Sequence, residues 1–77
     1  MKVTVQGMIC GCNPAGAKDK DGKPIPVTDI YSDGDIVNIR YLSVDPAKIG
    51  TQVNVLCDLR FGSYEGRSYH TFTAVNK

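Results

Sequence analysis

The chain has 77 residues, of which 42% are hydrophobic and 22% charged, and its formal net charge is +1. That composition describes one small globular domain spanning 1–77 and excludes a disordered, collagen-like or helical membrane protein, since no apolar run approaches the ~20 residues a bilayer span needs. A charge this close to neutral is not that of a strongly basic nucleic-acid binder, so any polyanion must be met by local rather than global charge.

The first segment, Lys2 to Met8, alternates Val3 and Val5 against Thr4 and Gln6 and reads as a strand. Because it alternates, MKVTVQGMIC is no secretory signal; with an odd number of cysteines, this points to a reducing, cytoplasmic setting. Residues 10–24, CGCNPAGAKDKDGKP, crowd lysines and aspartates among glycines and prolines and read as a loop or arm. Ile25 to Tyr31 is a weaker strand, closed by the Asp33-Gly34 turn. Ile36 to Val44 follows, with Val37, Ile39 and Tyr41 on one face and Asn38 and Arg40 on the other.

Asp45 to Gly50 is a turn in which DPAKI has room for about one helical turn. Gln52 to Phe61 has the cleanest alternation: Val53, Val55, Cys57, Leu59 and Phe61 share a face opposite Asn54, Asp58 and Arg60. A glycine-flanked hairpin tip, FGSYEG, leads into the last strand, Ser68 to Val75. Five short strands without a real helix predict an all-β protein, a small five-stranded antiparallel barrel. An OB-fold-like Greek key suits the strand number best, with an SH3-like barrel as its rival, and closure removes the exposed edges of so small a sheet.

Chemistry-bearing residues are sparse. Cys10 and Cys12 form a C-x-C pair, and Cys57 with His70 would be needed to complete a zinc set. A single tight pair with isolated partners is not the usual two-knuckle spacing, so free thiols and no cofactor are expected; Cys10, Cys12 and Cys57 remain the alternative metal set. His70 alternates with Phe72 and Ala74 and reads as a structural residue. No catalytic triad, phosphate loop or dinucleotide fingerprint occurs, so no enzyme is expected. Aromatic rings beside arginine are the stronger pattern: Arg40 precedes Tyr41, Arg60 precedes Phe61, and Arg67 lies between Tyr64 and Tyr69. Single-stranded nucleic acid is held in that way, by bases stacked on rings and phosphates met by cations. Phe61, Phe72 and Tyr41 share faces with aliphatic residues and are expected in the core, Tyr31 is undecided, and Tyr64 at the hairpin tip is expected in solvent.

From the charged arm onward the chain resembles the small single-stranded-DNA-binding proteins of filamentous phages, the gene-five protein type. The resemblance lies in DGKPIPVTDIY (Asp21 to Tyr31), IVNIRYLSV, DPAKIGTQVNV and SYEGRSYHTFTAV, taken in order and spacing. It implies a five-stranded OB-type barrel with a flexible basic hairpin arm (about 10–24), working as a homodimer in a bacterial host. Such a protein coats single-stranded DNA with little sequence preference during replication of a phage or mobile element. It implies DNA contacts for Lys18, Lys20 and Lys23 on the arm and for Tyr31, Tyr41 and Tyr64 as stacking rings, with Arg40 and Arg67 matched more loosely. The chain departs from the family in an arm of lysines interleaved with aspartates and in its Cys-Gly-Cys. The reading from another class is a small β-barrel adaptor that pairs its edge strands with a protein partner.

Overall fold

A computed structural model describes residues 1–75. Five strands account for most of them: β1 (Lys2–Lys18), β2 (Pro24–Ser32), β3 (Asp35–Arg40), β4 (Gln52–Tyr64) and β5 (Arg67–Ala74), with one 3-10 turn (Pro46–Lys48) between β3 and β4. They lie in one sheet in the order β1-β2-β3-β5-β4, and β4 pairs back onto β1, so the sheet closes on itself. Among the described residues no helix is long and apolar enough to cross a membrane.

The sheet is mixed, which corrects the antiparallel expectation. β3 and β5 run parallel, in register at Ile39↔Phe72 and Arg40↔Thr73, while the other four pairings are antiparallel. The reason is parity. A closed ring with an odd number of strands cannot alternate direction all the way round, so one junction must be parallel.

β1 is much longer than its alternation suggests, at 17 residues. Its first part, to Met8, pairs with β4; from Met8 onward it pairs with β2. The handover of β1 from β4 to β2 falls beside Gly7. A Cβ there would strike the carbonyl oxygen of Tyr31 and lie 2.8 Å from Ile30 Cγ2, so only glycine allows β1 to approach β2 this closely.

The segment 10–24 is a paired β-hairpin arm, the form that the resemblance implied, and not the loop that its composition suggests. Its register shifts between Ile9 and Gly11 and again between Asn13 and Ala17. The second irregularity holds Pro14 and Gly16, residues a regular ladder excludes but a bulge accepts. Asn13 Oδ1 accepts from the Ala15 N–H at 2.9 Å, satisfying a donor that the bulge frees. At the arm tip Asp19 Oδ1 accepts from the N–H groups of Asp21 (2.9 Å) and Lys23 (2.8 Å), and Gly22 takes φ +80°. The carboxylate of Asp19 thus shapes the turn as well as offsetting its lysines.

Two other hairpins close through two-residue turns, Asp33-Gly34 and Glu65-Gly66. All four residues have positive φ, as the type I′ geometry that matches strand twist requires. β3 ends at Arg40, short of the expected Val44. Tyr41 adopts φ +64° and its N–H donates to Pro26 O at 2.8 Å, turning the chain out of the sheet. The expected helical turn at DPAKI is present, capped by Asp45, whose Oδ1 accepts from the Ala47 N–H at 3.0 Å.

Val5, Ile30, Ile39 and Cys57 form the buried core, with Val3, Val37, Leu42, Val53, Val55, Phe72 and Ala74 packed against it. Thr28 is also fully buried, and its hydroxyl donates to Leu42 O at 2.6 Å, so the one buried polar side chain among the described residues is satisfied. The β4 alternation places Val53, Val55, Cys57 and Leu59 inward, as expected. Phe61 does not follow. It is 68% exposed, because β4 continues past the end of the core that the same face covers lower down.

Candidate nucleic-acid interface

Two hairpins leave the ring as two-stranded ribbons. On one side, Ala17 and Lys18 pair only with Ile25 and Pro24, because the β2–β3 ladder starts at Val27. On the other, β4 beyond Asp58 has only β5 as partner, and β5 before Phe72 has only β4. We refer to these as the arm and the wing. Lys18, Lys20 and Lys23 are exposed around the arm turn.

The Glu65-Gly66 turn fixes the register of the wing, and therefore which side chains share a face. Tyr64 lies opposite Arg67, Gly62 opposite Tyr69, and Arg60 opposite Thr71. On that face Tyr64 is 70% and Tyr69 53% exposed. The other face carries Phe61 opposite His70 and continues inward to Leu59 and Phe72. The imidazole of His70 meets Phe72 edge-on, with centroids 5.6 Å apart and an interplanar angle of 89°. His70 is exposed rather than sealed in the core.

Between arm and wing, floored by the outer face of β2 and β3, runs an open cleft of about 850 Å³. Val27, Asp29, Asn38, Arg40, His70 and Phe72 line it. Asn38 Nδ2 donates to Asp29 Oδ1 across the β2–β3 pair. Arg40 is the one cation among the lining side chains, with Asp29 and Asp35 as counter-charges, so this floor is polar and not basic.

The expected residues therefore do not converge on one groove. Arg40 lines the cleft; Lys18, Lys20 and Lys23 gather at one side of it; Tyr64 and Arg67 pair at the wing tip. Tyr31 lies on the outer face of β2 opposite Ile36, an exposed apolar pair beside the Asp33-Gly34 turn. Tyr41, expected in the core, is 47% exposed because the left-handed backbone carries it out of the β3 alternation. Tyr69 was not among the expected contacts. The register from the YEGR turn was its signal, since a two-residue loop sets Gly62 across from it.

Electrostatics bear on the arginines. Asp58 receives a hydrogen bond from the Met1 ammonium and another from Arg60 Nε, both at 3.1 Å, and in that order they hold its carboxyl below the usual aspartate range. One Arg60 nitrogen is thereby used, while the side chain stays 78% exposed. Arg67 makes no salt bridge among the described residues.

The cysteines are not assembled into a metal set. Cys57 is fully buried opposite Val3, and burial raises its thiol pKa. Cys10 lies well beyond Val3 along β1, on the order of 20 Å of strand, and is exposed with Sγ 3.5 Å from Asp29 O; Cys12 is half-buried. Among the described residues no three metal-binding side chains come together. Under native conditions a thiol reagent should modify Cys10 and Cys12 readily and Cys57 only after denaturant is added. Equal reaction of all three thiols in the folded protein, read by mass spectrometry, would place Cys57 outside the core.

No family model, curated protein or solved structure matches this chain.

Proposed function

We propose that the chain is a non-enzymatic single-stranded-DNA-binding protein with an OB-type barrel. The observation that carries the reading is the wing tip, where an exposed tyrosine ring stands directly across from an arginine: Tyr64 and Arg67. A ring and a cation at paired positions of one hairpin suit a base and its phosphate together, and sequence-tolerant stacking needs nothing more. The strand order supports the fold part of the reading. In OB domains the face of strands 2 and 3 and the 1–2 and 4–5 connections hold oligonucleotides, and here those connections are the arm and the wing. Arg40 on the cleft floor and Lys18, Lys20 and Lys23 on the arm would follow the phosphates, with Tyr31 and Tyr41 as further stacking rings. The resemblance to filamentous-phage proteins adds the setting: a homodimer in the bacterial cytoplasm, serving replication of a phage or mobile element.

The sequence contains four tyrosines and no tryptophan, so tyrosine emission reports stacking without interference. Titration with a poly-thymidine oligonucleotide at low salt should quench it. Tyr64→Ala should weaken binding by about 1–3 kcal/mol, roughly 5- to 150-fold. Absence of binding by the unaltered protein at low salt would overturn the proposal.

One observation favours the adaptor reading. β3 from Asp35 to Asn38 and β5 from Arg67 to Thr71 each lack a second partner, and an extended peptide adds to such edges. A chain that ignored the oligonucleotide while retaining peptides on these edges would belong to that class.

A further inference from the structure

Building on the single-strand-binding reading, we infer that Tyr69 is a pre-set stacking platform for an internal nucleotide, and that Gly62 exists to hold it. The ring reaches across the wing and its phenolic end covers Gly62. A Cβ at Gly62 would collide with Cζ and the hydroxyl oxygen of Tyr69 and lie 2.8 Å from Cε1. The cross-strand register explains the contact: Gly62 and Tyr69 are directly opposite, so the missing side chain leaves bare backbone for the ring to fold onto.

This arrangement gives the ring one supported side while it keeps 53% of its surface exposed. A ring already fixed loses little rotamer freedom when a base stacks on it, which is where a mobile surface tyrosine loses affinity. The neighbours on the same face specify the ligand. Arg67 precedes Tyr69 by two residues along β5, and Arg60, whose Nε also holds Asp58, sits diagonally across on β4, so an arginine is anchored on either side of the ring with its Cα roughly 7 Å from that of Tyr69. A base on this platform would have a phosphate reachable in both chain directions, which fits a nucleotide within a strand and not a free nucleoside. Tyr64 lies diagonally beyond Gly62 toward the tip and offers the adjacent base a second ring.

Affinity for a poly-thymidine oligonucleotide, followed by polarisation of a label on the DNA, tests the assignment in five proteins. The unaltered chain binds. Tyr69→Leu, which keeps an apolar side chain over the glycine but removes the ring, should bind about 5- to 100-fold more weakly, while Tyr69→Phe stays within about twofold. Gly62→Ala displaces the ring and should weaken binding several-fold. In a Tyr69→Leu background the same Gly62→Ala change should add almost nothing, because both remove one platform. Thermal melts of the variants separate a lost platform from a lost wing. Binding by Tyr69→Leu equal to the unaltered chain, or a Gly62→Ala effect that persists without Tyr69, overturns this inference and leaves the single-strand reading standing. No binding by the unaltered chain overturns both.

Discussion

Ile30→Ala should lower the free energy of unfolding by about 2–5 kcal/mol, measured by urea or thermal denaturation of the purified protein. Ile30 is fully buried, and so is Ile39, the residue that reaches the parallel junction between β3 and β5. Among the described residues only six apolar side chains are buried, four of them, Ile30 included, in one cluster, so there is little neighbouring apolar surface to collapse into the cavity that the deletion leaves. Domains of this size have stabilities near the low end of about 5–15 kcal/mol, so the variant should be substantially unfolded at 37 °C. Ile36→Ala supplies the contrast. That side chain is 61% exposed on the opposite face of β3, and its loss should change stability by no more than about 0.5 kcal/mol. Equal effects of the two substitutions would mean that the closed ring does not bury the face assigned to it.

Binding to single-stranded DNA should fall steeply with salt. If Lys18, Lys20, Lys23, Arg40 and Arg67, all exposed, each neutralise a phosphate, the logarithm of affinity falls against that of salt with a slope of roughly −3.5. Between 50 and 200 mM that is about a 130-fold loss. Replacing Lys20 and Lys23 together by alanine should flatten the slope by about 1.4 without changing the tyrosine quenching at saturation. An unchanged slope in the double variant would remove the arm from the interface; a flat profile for the parent chain would remove phosphate contacts altogether. The near-neutral charge makes this a discriminating measurement, because a non-specific basic surface is not available to produce the slope.

Much of the fold is legible where local chemistry and tertiary context agree. The Val53–Leu59 alternation, the two turns ending in glycine and the Asp45 cap are each written in a few adjacent residues. The hairpin form of the arm was implied by the resemblance but not by its residues, because Pro14 and Gly16 usually end pairing, and only a bulge reconciles them with a continuing ladder. Tyr41 escapes because a left-handed tyrosine has no sequence mark. Phe61 escapes because periodicity assigns a face and not the depth at which the core stops. The parallel junction was implicit in five strands and closure, a constraint of counting that no residue announces. At the site, the exposure of Tyr64 follows from its turn, whereas the platform at Tyr69 emerges only when hairpin register is combined with the glycine opposite.

The junction of β3 and β5 holds the ring with fewer rungs than any other ladder, at Ile39↔Phe72 and Arg40↔Thr73 alone. Local opening should therefore begin at that seam, and amide hydrogen exchange near Ile39 and Phe72 should outpace that along β1–β4. Parting there breaks no hairpin. It turns a closed ring into an open ribbon hinged elsewhere, and it separates the β3 floor of the cleft from the β5 residues that border it. The seam with the fewest rungs is thus the place where opening of the ring should cost least.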